Sequence, residues 1–166
     1  MRGRDELQDF HAVYSRNIER VYRLCRIRLG HREDAEDAAQ NVFLRWMRSG
    51  KDFDSEEHEK AYFLRAAHNE CINMGRSFWR MHRVAFDDLP PLMTAEEEEL
   101  PAVSSGEILS GLPAKYREVL YLDYYEELKT AEIAHLLDRP ESTVRTQLQK
   151  GRELLRKLLD QKTGGK

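Results

Sequence analysis

Apolar residues recur every three to four positions through most of this chain, the spacing of helices that bury one face. Phe10, Val13, Tyr14, Ile18, Val21, Tyr22, Leu24, Cys25 and Leu29 predict a first helix over Asp9 to Leu29, with Gly30 able to take a left-handed cap. Glu33 and Asp34 suit the start of a second helix ending near Ser49 and Gly50, whose core side is Ala35, Ala38, Ala39, Val42, Phe43 and Trp46. Its other side carries Asp37, Gln40, Asn41, Leu44, Arg45 and Arg48, a mixed-sign surface that an ordinary solvated face would resemble. Asp54 or Ser55 caps a third helix running from about Glu57 to Met81, with room for a break near Gly75. Its core side includes Tyr62, Phe63, Ala66, Ala67, Ile72 and Met74.

The periodicity then stops. Residues 84–107 contain Asp87, Asp88, Glu96 to Glu99 and three prolines, with no lysine or arginine, a composition that resists packing and predicts a linker. Helical spacing resumes after Leu112 and Pro113, where Tyr116, Val119, Leu120, Leu122 and Tyr125 form a stripe. Thr130 to Leu155 then reads as two helices around a tight break. Ile133, Ala134, Leu136 and Leu137 are the inner face of the first, and Val144 and Leu148 that of the second. Pro140 ends one helix and favours the start of the next. The fold class expected is all-α: a helical domain over residues 1–83, an acidic flexible linker over 84–107, and a second small helical domain over 108–166.

Composition narrows the function classes. In 166 residues, 40% are hydrophobic and 34% charged, which describes a soluble helix-rich chain. No stretch approaches the length of a membrane span, and the first residues lack the apolar core of a secretory signal, so a cytoplasmic location is expected. Cys25 and Cys71 lie too far apart for a disulfide framework to be read. His68 and Cys71 could share a helix face, but two ligands do not hold zinc, and no metal or cofactor is expected. No nucleophile, base and orienting group come together as an enzyme would need.

The net charge of −3 conceals segregation. Between Arg65 and Arg83, Arg65, Arg76, Arg80, Arg83, His68 and His82 are opposed only by Glu70, and Asn69, Asn73, Phe78 and Trp79 are interleaved with them. Cations for phosphates, amides for base edges and aromatics for stacking suit a single-stranded nucleic acid, although Phe78 and Trp79 also suit a core. After Pro140, Ser142, Thr143, Arg145, Thr146, Gln149 and Lys150 are left facing outward, as on the recognition helix of a helix-turn-helix; a helical hairpin with a solvated face gives the same pattern.

Three segments in order carry a family resemblance. REDAEDAAQNVFLRWMR, from Arg32 to Arg48, is similar to the region-2 helix by which extracytoplasmic-function (ECF) RNA polymerase sigma factors dock on the clamp coiled coil of the polymerase. AYFLRAAHNECINMGR, from Ala61 to Arg76, is similar to their promoter-melting, −10-reading segment. LPAKYREVLYLDYYEELKTAEIAHLLDRPESTVRTQLQKGRELLRKLL, from Leu112 to Leu159, resembles region 4 with its helix-turn-helix.

The resemblance implies a transcription initiation factor without chemistry of its own. Its partners would be core RNA polymerase, at the clamp coiled coil and the flap, and promoter DNA; an anti-sigma factor would cover the same surfaces, and no membrane insertion is implied. Asp37, Gln40, Asn41, Leu44 and Arg45 would bind polymerase. Arg65, His68, Asn69, Asn73, Arg76 and Arg80 would hold the opened −10 element. Arg139, Ser142, Thr143, Arg145, Thr146, Gln149, Lys150 and Arg152 would meet the −35 duplex. The chain departs from the family pattern at Asp138, where glycine is usual, and at Arg139 and Pro140, which frees Arg139 for a phosphate. A stand-alone helix-turn-helix regulator, or a sigma-like protein that binds polymerase without opening promoters, are the alternative readings.

Overall fold

The computed structural model describes residues 2–79, 109 and 111–164, which contain helices and turns and no strand. Helix α1 spans Arg2–Leu29, α2 Arg32–Ser49, α3 Glu56–Trp79, α4 Ala114–Tyr124, α5 Thr130–Leu137 and α6 Glu141–Gly164. Residues 80–108, which include the expected linker, lie outside the described residues.

Helices α1, α2 and α3 form the first bundle. Glycine makes both of its corners: Gly30 at φ 81° and Gly50 at φ 63° lie in the left-handed region, and each amide donates to a carbonyl four residues back, that of Arg26 or Trp46. The core is largely aromatic. Phe63 is fully buried, with ring centroids of Phe43 at 5.1 Å, Tyr62 at 5.2 Å, and Trp46 and Phe53 both at 5.6 Å. Trp46 also stacks on Phe10 at 5.5 Å, and its indole N–H donates to the Lys51 carbonyl. Arg16 of α1 grips buried Glu59 of α3 with two bonds, 2.8 and 3.1 Å, and this pairing holds the Glu59 carboxyl below its ordinary range.

Helices α4, α5 and α6 form the second bundle. Asp138 closes α5 in the left-handed region, φ 55° and ψ 50°, and the amides of Asp138 and Arg139 donate to His135 and Ala134 carbonyls, the Schellman arrangement. Aspartate thus does here what glycine ordinarily does. Gly151 lets α6 cross α4 closely: a Cβ at this position would sit 3.2 Å from Leu120 Cδ1 and 3.5 Å from Tyr116 Cβ. Gly151→Leu is therefore expected to destabilise the chain by about 1–3 kcal/mol through overpacking, read by urea denaturation.

The two bundles are not separate bodies. α4 packs on α1 and α5 packs on α3, so the buried apolar residues form one cluster running from Val21 to Leu148. Every residue from Tyr116 to Leu122 is buried, which identifies α4 as a helix covered on all sides. The sequence stripe predicted one buried face; the additional burial comes from the first bundle.

Three expectations from the sequence change. The first helix begins seven residues earlier than expected, at Arg2, and α3 continues through Gly75 without a break. Its fully buried side is Phe63, Leu64, Ala67 and Cys71, whereas Tyr62, Ala66, Ile72 and Met74 are half-buried.

Candidate nucleic-acid and protein interfaces

On α2, the alanine, valine and aromatic positions face the core, and this turns Asp37, Gln40, Asn41, Leu44 and Arg45 outward as one exposed strip. Leu44 is 46% exposed and neighbouring Met47 53%, so the strip has an apolar centre and a polar rim, the composition of a protein-binding surface. Two of its members are held from below. Glu70 of α3 is buried; its carboxylate accepts from Asn41 Nδ2 at 3.0 Å and pairs with Arg45 Nη1 at 3.0 Å. The acidic residue that looked like a stray charge in a basic stretch is thus an anchor for the neighbouring helix.

On α3, Arg65, Asn69 and Asn73 are exposed and recur every four residues, so they form one stripe along the helix. The backbone of Arg76 continues that helix, while its side chain, and all of Arg80, lie outside the described residues. His68 departs from the expectation of a DNA-facing group in the packed chain. It is 3% exposed, and its Nδ1 lies 2.5 Å from Glu118 Oε2 of α4. The reason is angular: His68 follows Leu64 by one turn and precedes Cys71, both fully buried, so it lies toward the core side of α3 rather than on the Asn69 side.

On α6, Ser142, Thr143, Arg145, Thr146, Gln149 and Lys150 are exposed, while Val144 and Leu148 are buried against α4 and α5. Arg145 keeps 65% of its side chain in solvent and has a 3.4 Å ion pair with Glu141 on the preceding turn, a contact that a phosphate or base edge could replace. Arg152 is partly exposed and committed, with Asp123 at 3.0 Å and the Tyr124 hydroxyl at 3.3 Å. Arg139 also departs from expectation. Rather than standing ready for a phosphate, it donates to Gln147 Oε1 at 3.0 Å and to Glu118 Oε1 at 3.1 Å.

Glu118 joins these departures. Its side chain is wholly buried and meets Arg28 of α1 at 2.8 Å, His68 of α3 and Arg139 of the α5–α6 turn. Burial alone would raise its carboxyl pKa, but the surrounding positive charge outweighs this and draws it down to about 2. Beside it, Arg117 reaches across to the end of α1, where the carbonyls of Ile27 and Arg28 have no helical partner, and donates to them at 2.8 and 3.3 Å. It also donates to the Leu112 carbonyl at 2.5 Å. Burial lowers its pKa to about 10, which leaves it charged at neutral pH.

A second contact lies further along. Glu126 takes Arg20 of α1 at 3.4 Å, Lys60 of α3 at 3.8 Å and the Tyr121 hydroxyl at 2.8 Å, and Arg23 lies 4.7 Å over the Tyr125 ring. In these ion pairs between the bundles the first supplies the basic group and the second the carboxylate. Sequence reasoning missed Glu118 and Glu126. A charged Arg117-Glu118 pair inside an apolar stripe was the available signal, since a short helix with such a pair needs partners on its second face.

Among the described residues no helix is long and apolar enough to cross a membrane, and no group of His, Cys, Asp and Glu is placed to hold a metal ion.

Residues 13–81 match the family model for Sigma-70 region 2, and residues 106–155 match that for Sigma-70, region 4. The chain is 30% identical over 171 residues to the ECF RNA polymerase sigma factor SigW of Bacillus subtilis, covering 93% of this chain and 89% of that protein. It is 30% identical over 164 residues to the ECF sigma factor SigE of Mycolicibacterium smegmatis, covering 93% of this chain and 61% of SigE. A solved structure of the sigma factor RpoE in complex with the anti-sigma factor NepR from Bartonella quintana superposes with a TM-score of 0.69 at 18% identity, covering 92% of this chain and 98% of RpoE, a likeness of fold. The chain belongs to the ECF RNA polymerase sigma factors, the subunits that direct bacterial RNA polymerase to specific promoters.

Proposed function

We propose that this sigma factor divides promoter recognition between residues 1–83 and 108–166, with residues 84–107 as the tether. The α2 strip of Asp37, Gln40, Asn41, Leu44 and Arg45 docks on the polymerase clamp. The α3 stripe of Arg65, Asn69 and Asn73, together with Arg76 and Arg80, holds unpaired bases of the −10 element. The outward face of α6 reads the −35 duplex, with Arg145, Thr146 and Gln149 toward base edges and Ser142, Thr143 and Lys150 toward the backbone. The reading is carried by one observation: the exposed polar side of α6 begins at the helix N-terminus, just after a tight turn, as a helix entering a major groove requires.

The physical division of labour follows from the two forms of DNA. Opening the −10 element requires unstacking a base at a few kcal/mol, which amide and stacking contacts on α3 offset once polymerase holds the strand. The −35 element stays paired, so α6 needs a short row of donors at a fixed spacing. A protein inhibitor of the kind seen on RpoE would act by covering these same faces.

Arg145→Ala is expected to reduce promoter-dependent initiation by about 1–3 kcal/mol and to relax sequence preference at one or two positions of the −35 element alone. Transcription from a panel of single-base −35 and −10 variants measures this. Equal weakening on every −35 variant would make Arg145 a phosphate contact. Relaxed preference at the −10 element would overturn the assignment of α6.

A further inference from the structure

Asn41 and Arg45 lie one turn apart on the exposed strip of α2, and both are held by one side chain of α3, Glu70. The carboxylate is buried and divides its oxygens between them: Oε1 accepts from Asn41 Nδ2 at 3.0 Å, and Oε2 lies 3.0 Å from Arg45 Nη1. On the reading of this strip as the polymerase-docking surface, we propose that Glu70 is its positioning residue, fixing which way the Asn41 amide faces and where the Arg45 cation stands before polymerase arrives.

The chemistry of a carboxylate sets the amide. A carboxylate accepts hydrogen bonds and donates none, whereas an asparagine amide has a donating end and an accepting end. Glu70 takes the Nδ2 end and leaves Oδ1 as the end that Asn41 offers to a partner. Arg45 is held differently. No aligned N–H meets Oε2 among the described residues, so the 3.0 Å contact acts through charge rather than direction. A guanidinium carries several N–H donors in a rigid fork, and an attraction of this kind fixes its place while leaving donors for a second acceptor. The strip therefore presents an acceptor at Asn41, an apolar side chain at Leu44 and donors at Arg45. The polymerase surface that fits is the complement, a donor, an apolar residue and an acidic group in that order.

Burial suits Glu70 to this task. One residue's rotation around α3 separates it from exposed Asn69, so its negative charge sits beneath α2 and away from the stripe assigned to the −10 strand. Ordering the two α2 side chains in advance removes an entropy cost that docking otherwise carries, worth about two- to ten-fold in affinity for each rotamer-rich side chain.

The test measures binding of the full chain to bacterial core RNA polymerase, alongside urea denaturation. Glu70→Gln keeps the shape and an acceptor for Asn41, but removes the charge beside Arg45 and lets the facing amides turn over. It is expected to weaken polymerase binding about three- to ten-fold with the urea midpoint unchanged. In a chain that already carries Asn41→Ala and Arg45→Ala, the same substitution is expected to change affinity by less than about two-fold, because its effect runs through those two side chains. A folded Glu70→Gln chain with wild-type affinity would overturn the proposal. An equal loss in both backgrounds would also overturn it, by making Glu70 a direct contact or a general support. A second pair of variants decides the matter if Glu70→Gln alone does not fold. Asn41→Asp sets two carboxylates against each other and is expected to weaken binding; adding Glu70→Gln reverses donor and acceptor across the pair and is expected to recover most of the loss. Absence of recovery counts against Glu70. If the chain with Asn41→Ala and Arg45→Ala binds core polymerase as the wild type does, the docking strip itself fails and takes the positioning role with it.

Discussion

Glu118→Gln is expected to lower the stability of the packed chain by about 3–5 kcal/mol, the range seen when one partner of a buried ion pair is removed. The amide keeps the shape but takes the negative charge away from Arg28, whose side chain has no solvent exposure, and from His68 and Arg139. Replacing both charges behaves differently. Glu118→Leu with Arg28→Met is expected to recover much of the loss, since no unpaired ion then remains in that pair. Urea denaturation of the two single variants and the double variant gives the coupling.

The same carboxylate sets a pH window. Its pKa is about 2 in the packed chain against an ordinary 4.5, so ionisation favours packing. That contribution is fully present above about pH 4.5 and fades as pH falls toward 2. Acid titration should therefore loosen the wild-type chain in this window and leave Glu118→Gln with a flatter profile. Equal profiles would show that another carboxylate controls acid sensitivity.

The second large effect belongs to the aromatic core. Phe63→Ala removes a fully buried ring that touches aromatic side chains from α2, α3 and the loop between them, and is expected to destabilise the chain by about 3–5 kcal/mol. Leu44→Ala provides the contrast. Leu44 is 46% exposed on the α2 strip, so its loss should change stability by less than about 0.5 kcal/mol while weakening polymerase binding. Denaturation and a core-polymerase pull-down separate the two. Loss of binding by Phe63→Ala under conditions where it stays folded would mean that the ring also serves the interface.

Much of this was legible in the chain itself, for identifiable reasons. Gly30, Gly50 and Pro140 mark helix ends through backbone geometry, which is local and survives any tertiary arrangement. The core sides of α2 and α6 follow from three-to-four spacing, because each helix buries a single stripe. α4 did not yield to that logic. A helix packed on several sides loses its single face, and the pattern around Tyr116 to Leu122 identifies its own bundle but not α1.

His68, Glu70, Arg139 and Glu118 show the limit most clearly. Each is a charged or titratable side chain whose location is decided by a partner remote in sequence: 50 residues for His68 and Glu118, 90 for Arg28 and Glu118, and 29 for Asn41 and Glu70. Composition shows that such groups need partners when buried, but not that they are buried. The exposed stripes were easier to find, since residues four apart on a helix face the same way whatever surrounds them. What each stripe touches depends on molecules outside the chain.

The most direct measurement adds the purified chain to bacterial core RNA polymerase with a library of random promoters and sequences the transcripts. The account predicts starts downstream of a shared two-block motif, with the upstream block relaxed by Arg145→Ala and the downstream block by Asn69→Ala. Failure to associate with core polymerase, or association that leaves the pattern of starts unchanged, would contradict it.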